Sequence, residues 1–159
     1  MEEILEILEK NARASVEEIA LMLNKSVEEV KDTIKKLEEE NVIVGYNTLI
    51  NWDNSSKENV TALIEVRVTP QRGQGFDKVA ERIYRYPQVK ACYLMSGGFD
   101  LTVIIEGKDM KEVALFVAEK LAPLESVLST ATHFVLKKYK DDGVIFEDKN
   151  GDDREALIL

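Results

Sequence analysis

The sequence predicts an α+β protein in two parts, a small helical domain and then a βαββαβ sandwich. Three observations carry this. Two successive segments open on the same Ser-Val-Glu-Glu tetrad, at Ser15 and at Ser26. Beyond a polar stretch at 51–59, short alternating apolar runs replace uninterrupted helical periodicity. Finally, Val79-Ala80-Glu81-Arg82-Ile83 is echoed 38 residues later by Val117-Ala118-Glu119-Lys120-Leu121, as two tandem βαβ units require.

In the first fifty residues, Ile4, Leu5 and Leu8 mark a first helix. Ser15 with Glu18, and Ser26 with Glu29, have capping-box spacing: the serine oxygen accepts from the N–H three residues on, and the glutamate reaches back to the serine N–H. Glutamates in a first turn also suit the positive end of the helix dipole. Ile19, Met22 and Leu23 form the apolar stripe of the second helix, and Val30, Ile34 and Leu37 that of the third, with Asn24-Lys25 as the turn between them. Val42-Ile43-Val44-Gly45-Tyr46 reads as a β-branched hairpin strand with a glycine bend. Three short helices and a β-wing make a winged helix-turn-helix over 1–50.

The nine residues 51–59 are turn-rich and read as a linker. Beyond them the expected strands are Val60 to Thr69, Val89 to Ser96, Leu101 to Glu106 and Val127 to Tyr139. The helices are Phe76 to Tyr86, stopped by Pro87, and Met110 to Leu121, followed by Pro123. Gly97-Gly98-Phe99-Asp100 joins the middle strands as a hairpin. The order βαββαβ predicts a ferredoxin-like sandwich over 60–140, with both helices on one sheet face. One alternating set includes Leu63, Leu94, Ile104, Phe134 and Leu136, and the opposite set Ile64, Val66, Val103 and Ile105. Helices can cover only one set, so the other implies a partner, most simply a second copy, sheet against sheet.

Composition narrows the function classes. The chain has 159 residues, 45% of them hydrophobic, enough for packed cores. It holds no signal peptide, no lipidation signature and no apolar run of about 18 residues, which predicts a cytoplasmic protein without membrane association. Cys92 is the single cysteine and reads as a core thiol. No metal-ligand cluster is evident, and no cofactor is expected. The net charge of −9 is unevenly spread: residues 1–50 hold 12 acidic and 6 basic groups, 51–140 hold 11 and 13, and the tail 141–159 holds 7 and 2. The helical domain and the tail are acidic, and the sandwich is slightly basic.

Taken in order and spacing, "VIVGYNTLIN" after the third helix, "MSGGFDLTVIIEGKD" around the hairpin and "VLSTATHFVLKKYK" in the last strand resemble the Lrp/AsnC family, the feast/famine transcriptional regulators. The resemblance spans nearly the whole chain. It implies an amino-acid- or metabolite-responsive regulator that binds double-stranded promoter DNA. It also implies a homodimer formed through the sheets, assembling further into an octamer. By motif match it places a small-molecule effector, an amino acid by class, at Gly97, Gly98, Phe99, Asp100, Thr130 and Thr132.

Each of these residues also has a plainer reading. Gly97 and Gly98 can serve only the positive φ of a tight turn, and Asp100 can cap that turn through its own backbone. Thr130 and Thr132 share a strand face and can line one pocket, but they are also ordinary strand formers. On the third helix the residues expected at DNA are Lys25, Ser26, Glu28, Lys31, Asp32, Lys35 and Lys36, with Arg13 near the backbone. The helix has no arginine, and its carboxylates oppose phosphate, although a carboxylate can accept from cytosine N4. Alternatively Asp32 pairs with Lys35 or Lys36 along a solvated face.

Two other functions compete with this one. An effector-sensing protein acting through protein partners would explain the acidic helical domain. A sirohaem-decarboxylase-like enzyme would share fold and domain order, but His133 is the single histidine, alternating with Ala131 and Val135 on a strand. Arg72-Gly73-Gln74-Gly75 lacks the full phosphate-loop motif. Catalysis is therefore not expected.

Overall fold

The protein is seen in a computed structural model that describes residues 1–70, 72–73 and 75–146. The chain divides into two compact units, with the boundary between Ile50 and Asn51.

The first unit contains α1 (Glu2–Lys10), α2 (Val16–Leu23) and α3 (Val27–Glu39). At Ser15 the capping box is complete: its hydroxyl accepts from the Glu18 N–H at 3.1 Å, and its N–H donates to Glu18 Oε2 at 2.8 Å. Ser26 caps α3 in the same way, accepting from the Glu29 N–H at 3.1 Å. Here the reciprocal half is missing, because the Glu29 carboxylate is taken by the Lys25 ammonium. The two helices also end alike. Asn24 and Asn41 lie in the left-handed region at φ 51° and 55°. In both cases the residue after the asparagine returns its N–H to the helix, Lys25 to Ala20 O and Val42 to Leu37 O, each at 2.9 Å. Asparagine tolerates this conformation and closes a Schellman-type stop.

Ile4, Ile19, Ala20 and Val30 form the small core, with Ile7, Leu8, Leu23 and Ile34 packed around them. Met22, expected in the stripe, is instead 66% exposed, and Ala20 takes the inward position. The β-wing strand expected over Val42–Tyr46 is not formed, and the backbone over 41–51 holds no strand. A strand needs a partner for its backbone groups, and within this unit none is offered. Tyr46 instead donates to Glu38 Oε1 at 2.8 Å.

The second unit follows the expected order: β1 (Val60–Val68), α4 (Asp77–Tyr84), β2 (Val89–Leu94), β3 (Leu101–Gly107), α5 (Met110–Phe116) and β4 (Val127–Phe134). A π-turn at Val117–Leu121 extends α5. The sheet order is β2-β3-β1-β4 with every neighbouring pair antiparallel, the ferredoxin-like arrangement. One face carries Ala62, Ile64, Val66, Leu101, Val103 and Ile105 into a core with Val79 and Ile83 of α4 and Val113, Phe116 and Leu121 beyond β3. Burying each large aliphatic chain here contributes about 1.5–3 kcal/mol over leaving it in water.

Register corrects the expected split of faces. Leu94 pairs with Leu101, and Phe134 with Ala62, so both lie on the helix-covered side. Leu136 lies beyond β4, which ends at Phe134 rather than Tyr139. The open face therefore carries Leu63, Ile104, Ala91 and Ala131 beside Thr102, Tyr93, Glu65, Arg67 and His133. This face is mixed, not a continuous apolar sheet. His133 Nε2 lies 3.5 Å from Glu65 Oε1 across it.

The residues read as linker carry local structure. Asn51 accepts from the Asp53 N–H, Trp52–Asn54 form a 3-10 turn, and the Lys57 ammonium lies 4.3 Å from the Trp52 ring centroid. After β4, a two-residue hairpin pairs β5 (Lys140–Asp141) with β6 (Val144–Ile145). The rest of the expected acidic tail, 147–159, lies outside the described residues, as does Gln74 of the 72–75 segment.

Candidate nucleic-acid interface and effector turn

The third helix presents one face to its own core and the other to solvent. Val30 and Leu37 are fully buried and Ile34 is half-buried. At 3.6 residues per turn, Glu28, Lys31, Asp32 and Lys35 fall on the opposite side, and all four are exposed. Ser26 is occupied as the N-cap. Lys25 is tied to Glu29, and its ammonium is pushed above its ordinary value by that hydrogen bond and charge, with Glu3 adding and desolvation opposing. Lys35 and Lys36 lie 3.7 Å from Glu39 and Glu40, one turn on. Asp32 joins neither lysine, so the expected pairing of Asp32 with Lys35 or Lys36 gives way to these C-terminal glutamates. Sequence reasoning also passes over Val27, which is 42% exposed beside Glu28. Its place in the Ser-Val-Glu-Glu tetrad, one position after the cap, is the available signal.

In the second unit, the structure brings the expected effector residues to one end of the sheet. Asp100 closes the β2–β3 turn: its carbonyl accepts from the Met95 N–H at 2.8 Å, and its own N–H donates to Val66 O at 3.1 Å. Its carboxylate does not cap its own turn. Oδ2 instead accepts from the Val68 N–H of β1 at 2.8 Å. That N–H points to the β3 side past the last β1–β3 pair, Val66 with Leu101, so the ladder does not use it; the β1–β4 register also shifts here, between Arg67 and Val68. Thr130 is the β4 partner of Val66, and Thr132 that of Ile64, so both half-buried hydroxyls lie on the helix-covered side.

Gly97 and Gly98 do not match the turn-geometry reading. Neither has a positive φ, and a Cβ built on either meets nothing within 4 Å. The chain's own backbone therefore places no demand for glycine at these positions. Phe99 is half-buried, while both glycines are exposed. A cavity of about 670 Å³ lies at the other end of the sheet, where Lys57, Gln88, Lys90, Glu106 and Lys108 line it. No group of three or more potential metal ligands occurs among the described residues. No described helix is long and apolar enough to cross a membrane.

A helix-turn-helix unit followed by a ferredoxin-like unit with an exposed glycine turn defines a class, the DNA-binding regulators that carry a ligand-binding domain. Comparison with known proteins identifies the family. The winged helix-turn-helix DNA-binding family matches residues 2–44, and the Lrp/AsnC ligand binding domain matches residues 61–145. The chain belongs to the Lrp/AsnC family of transcriptional regulators. It is 54% identical over 158 residues to the uncharacterized HTH-type transcriptional regulator YugG of Bacillus subtilis, covering 99% of this chain and 94% of that protein. It is 31% identical over 137 residues to the regulator LrpA of Pyrococcus horikoshii, covering 86% of this chain and 94% of the relative. Among solved structures it resembles a Neisseria meningitidis transcriptional regulator in complex with L-Met. That match has a TM-score of 0.72 and 24% identity, and it covers 87% of this chain and 89% of the other. At that identity the likeness speaks to fold alone.

Proposed function

We propose that the protein is an amino-acid-responsive regulator that binds promoter DNA through α3 as an oligomer assembled on its second unit. The effector is an amino acid held at Gly97, Gly98, Phe99 and Asp100 with Thr130 and Thr132. The observation that carries this reading is the pair of glycines. They are exposed, have no positive φ, and a side chain added at either would meet nothing, so glycine there serves to keep the backbone N–H groups open to an arriving carboxylate. Asp100 has one oxygen committed to Val68, which orients the other as an acceptor for an ammonium. Two proteins of the same fold, the Neisseria regulator and a Mycobacterium tuberculosis feast or famine regulatory protein, are solved with L-Met, a ligand of the class proposed here.

The assembly is a homodimer through the open sheet face and an octamer beyond it, and the chain acts in the cytoplasm. Leu63, Ile104, Ala91 and Ala131 give this face its apolar centre. The deciding experiment is fluorescence anisotropy of the full chain with its own promoter region, with and without each amino acid. Binding that an amino acid shifts supports the reading, and no binding at low salt overturns the DNA part of it. The second reading, action through protein partners, rests on the lysines around α3, three of which are already held by carboxylates.

A further inference from the structure

The polar side chains at the DNA-facing end of α3 divide sharply by whether the protein already uses them. Ser26 is the cap, and Thr33 donates to Glu29 O at 2.7 Å. Lys25, Lys35 and Lys36 each meet a glutamate. Glu28, Lys31 and Asp32 have no side-chain hydrogen bond or ion pair among the described residues, and all three are exposed on the side away from Val30 and Leu37. They belong to the first half of the helix, the part that meets base edges when such a helix enters the major groove.

We propose that Glu28, Lys31 and Asp32 together read G·C base pairs, an inference that rests on the DNA-binding reading above. A G·C pair offers a donor at cytosine N4 and two adjacent acceptors at guanine O6 and N7. A carboxylate accepts from the first, and an ammonium donates to the second. An A·T pair also offers a donor at adenine N6 and acceptors at adenine N7 and thymine O4, but N6 lies between the two acceptors, which repel a carboxylate, and no two acceptors adjoin for an ammonium as guanine O6 and N7 do. The trio carries one net negative charge, and the nearest lysines are shared with glutamates, so phosphate attraction contributes little at this helix. Selectivity for bases, rather than general attraction to DNA, is what this surface is built to supply.

The test is selection from a random duplex pool at low salt by the full-length protein and by Glu28→Gln, which leaves Ser26, Glu29 and the cap untouched. The wild type should enrich a site with fixed G·C pairs. Glu28→Gln should replace one of them by A·T, since glutamine pairs with adenine N6 and N7, with a swing of about tenfold or more in relative affinity by anisotropy. Lys31→Met should lose discrimination for guanine at the pair it contacts while leaving the rest of the site. If both variants enrich the wild-type bases at every position, the readout is overturned while DNA binding stands. If the wild type enriches no sequence and binds no duplex, the DNA-binding reading fails, and this inference fails with it.

Discussion

Asp100 Oδ2 accepts from the backbone N–H of Val68 at 2.8 Å, joining positions 32 apart in the sequence. The turn proposed to receive the effector is thereby also a brace for an irregular point in β1. Removing the carboxylate orphans a part-buried N–H, so Asp100→Ala should cost about 1–2 kcal/mol in denaturant unfolding without ligand. Asp100→Asn keeps an acceptor and should recover most of that loss, yet still lose the amino-acid-induced rise in Tm, because the charge facing an ammonium is gone. A thermal shift that survives in Asp100→Asn would remove Asp100 from the effector site.

The lysines of α3 should be released by removing their partners. Replacing Glu39 and Glu40 by glutamine should raise non-specific DNA affinity and steepen its salt dependence. The slope of log affinity against log salt should grow by about 0.9 for each further phosphate that a freed lysine neutralises. In the wild type, Lys35→Ala and Lys36→Ala should then each change that slope by well under this amount. Anisotropy titrations between low and moderate salt provide the check.

The two serine caps should be worth about the same. Ser15→Ala and Ser26→Ala each remove one hydroxyl acceptor, because the reciprocal bond at Ser15 is donated by its backbone N–H and survives, so amide exchange should accelerate alike at Glu18 and Glu29. Each substitution should cost about 1 kcal/mol.

Burial pushes the Cys92 thiol above its ordinary value. The folded chain therefore holds the thiol proton more tightly than the unfolded chain. The associated stability is full below the ordinary thiol value and declines as pH rises past it, when the unfolded chain ionises first. Disulfide-reagent labelling at mildly alkaline pH should be slower than for a free cysteine, and denaturant should abolish the difference.

An acidic group on the open sheet face should break the proposed dimer without unfolding the protomer. Ile104 is half-buried on that face, beside Leu63. Light scattering should report a dimer or larger for the wild type and a monomer for Ile104→Glu, with unchanged circular dichroism. A monomeric wild type at micromolar concentration would contradict the assembly.

What the sequence makes legible is mostly local. Ser15, Ser26 and the Pro87 stop announce helix limits through groups within a turn of each limit, and the order of elements follows from them. What it hides depends on distant partners. Period-two alternation says which residues share a face within one strand, but the phase between strands is set by register, and the shift between Val89 and Ala91 changes it along β2. Alternation alone therefore puts Leu94 on the open side. Val42–Tyr46 has strand composition but no neighbour within its unit. The residues proposed for the effector can be named by motif, yet not the Asp100–Val68 bond, because nothing in either segment names the other.

The β1–β4 pairing has a consequence for how the chain is made. Val68 must wait for Val127, roughly 60 residues later, before its edge of β1 is covered. At synthesis rates of about 5–20 residues per second, that wait is about 3–12 s. The first unit draws its contacts from within fifty residues and can fold in microseconds to milliseconds once released. The second spends seconds with Ile64 and Val66 uncovered, so the nascent sheet is the stage at which this chain is most exposed to aggregation and to chaperones.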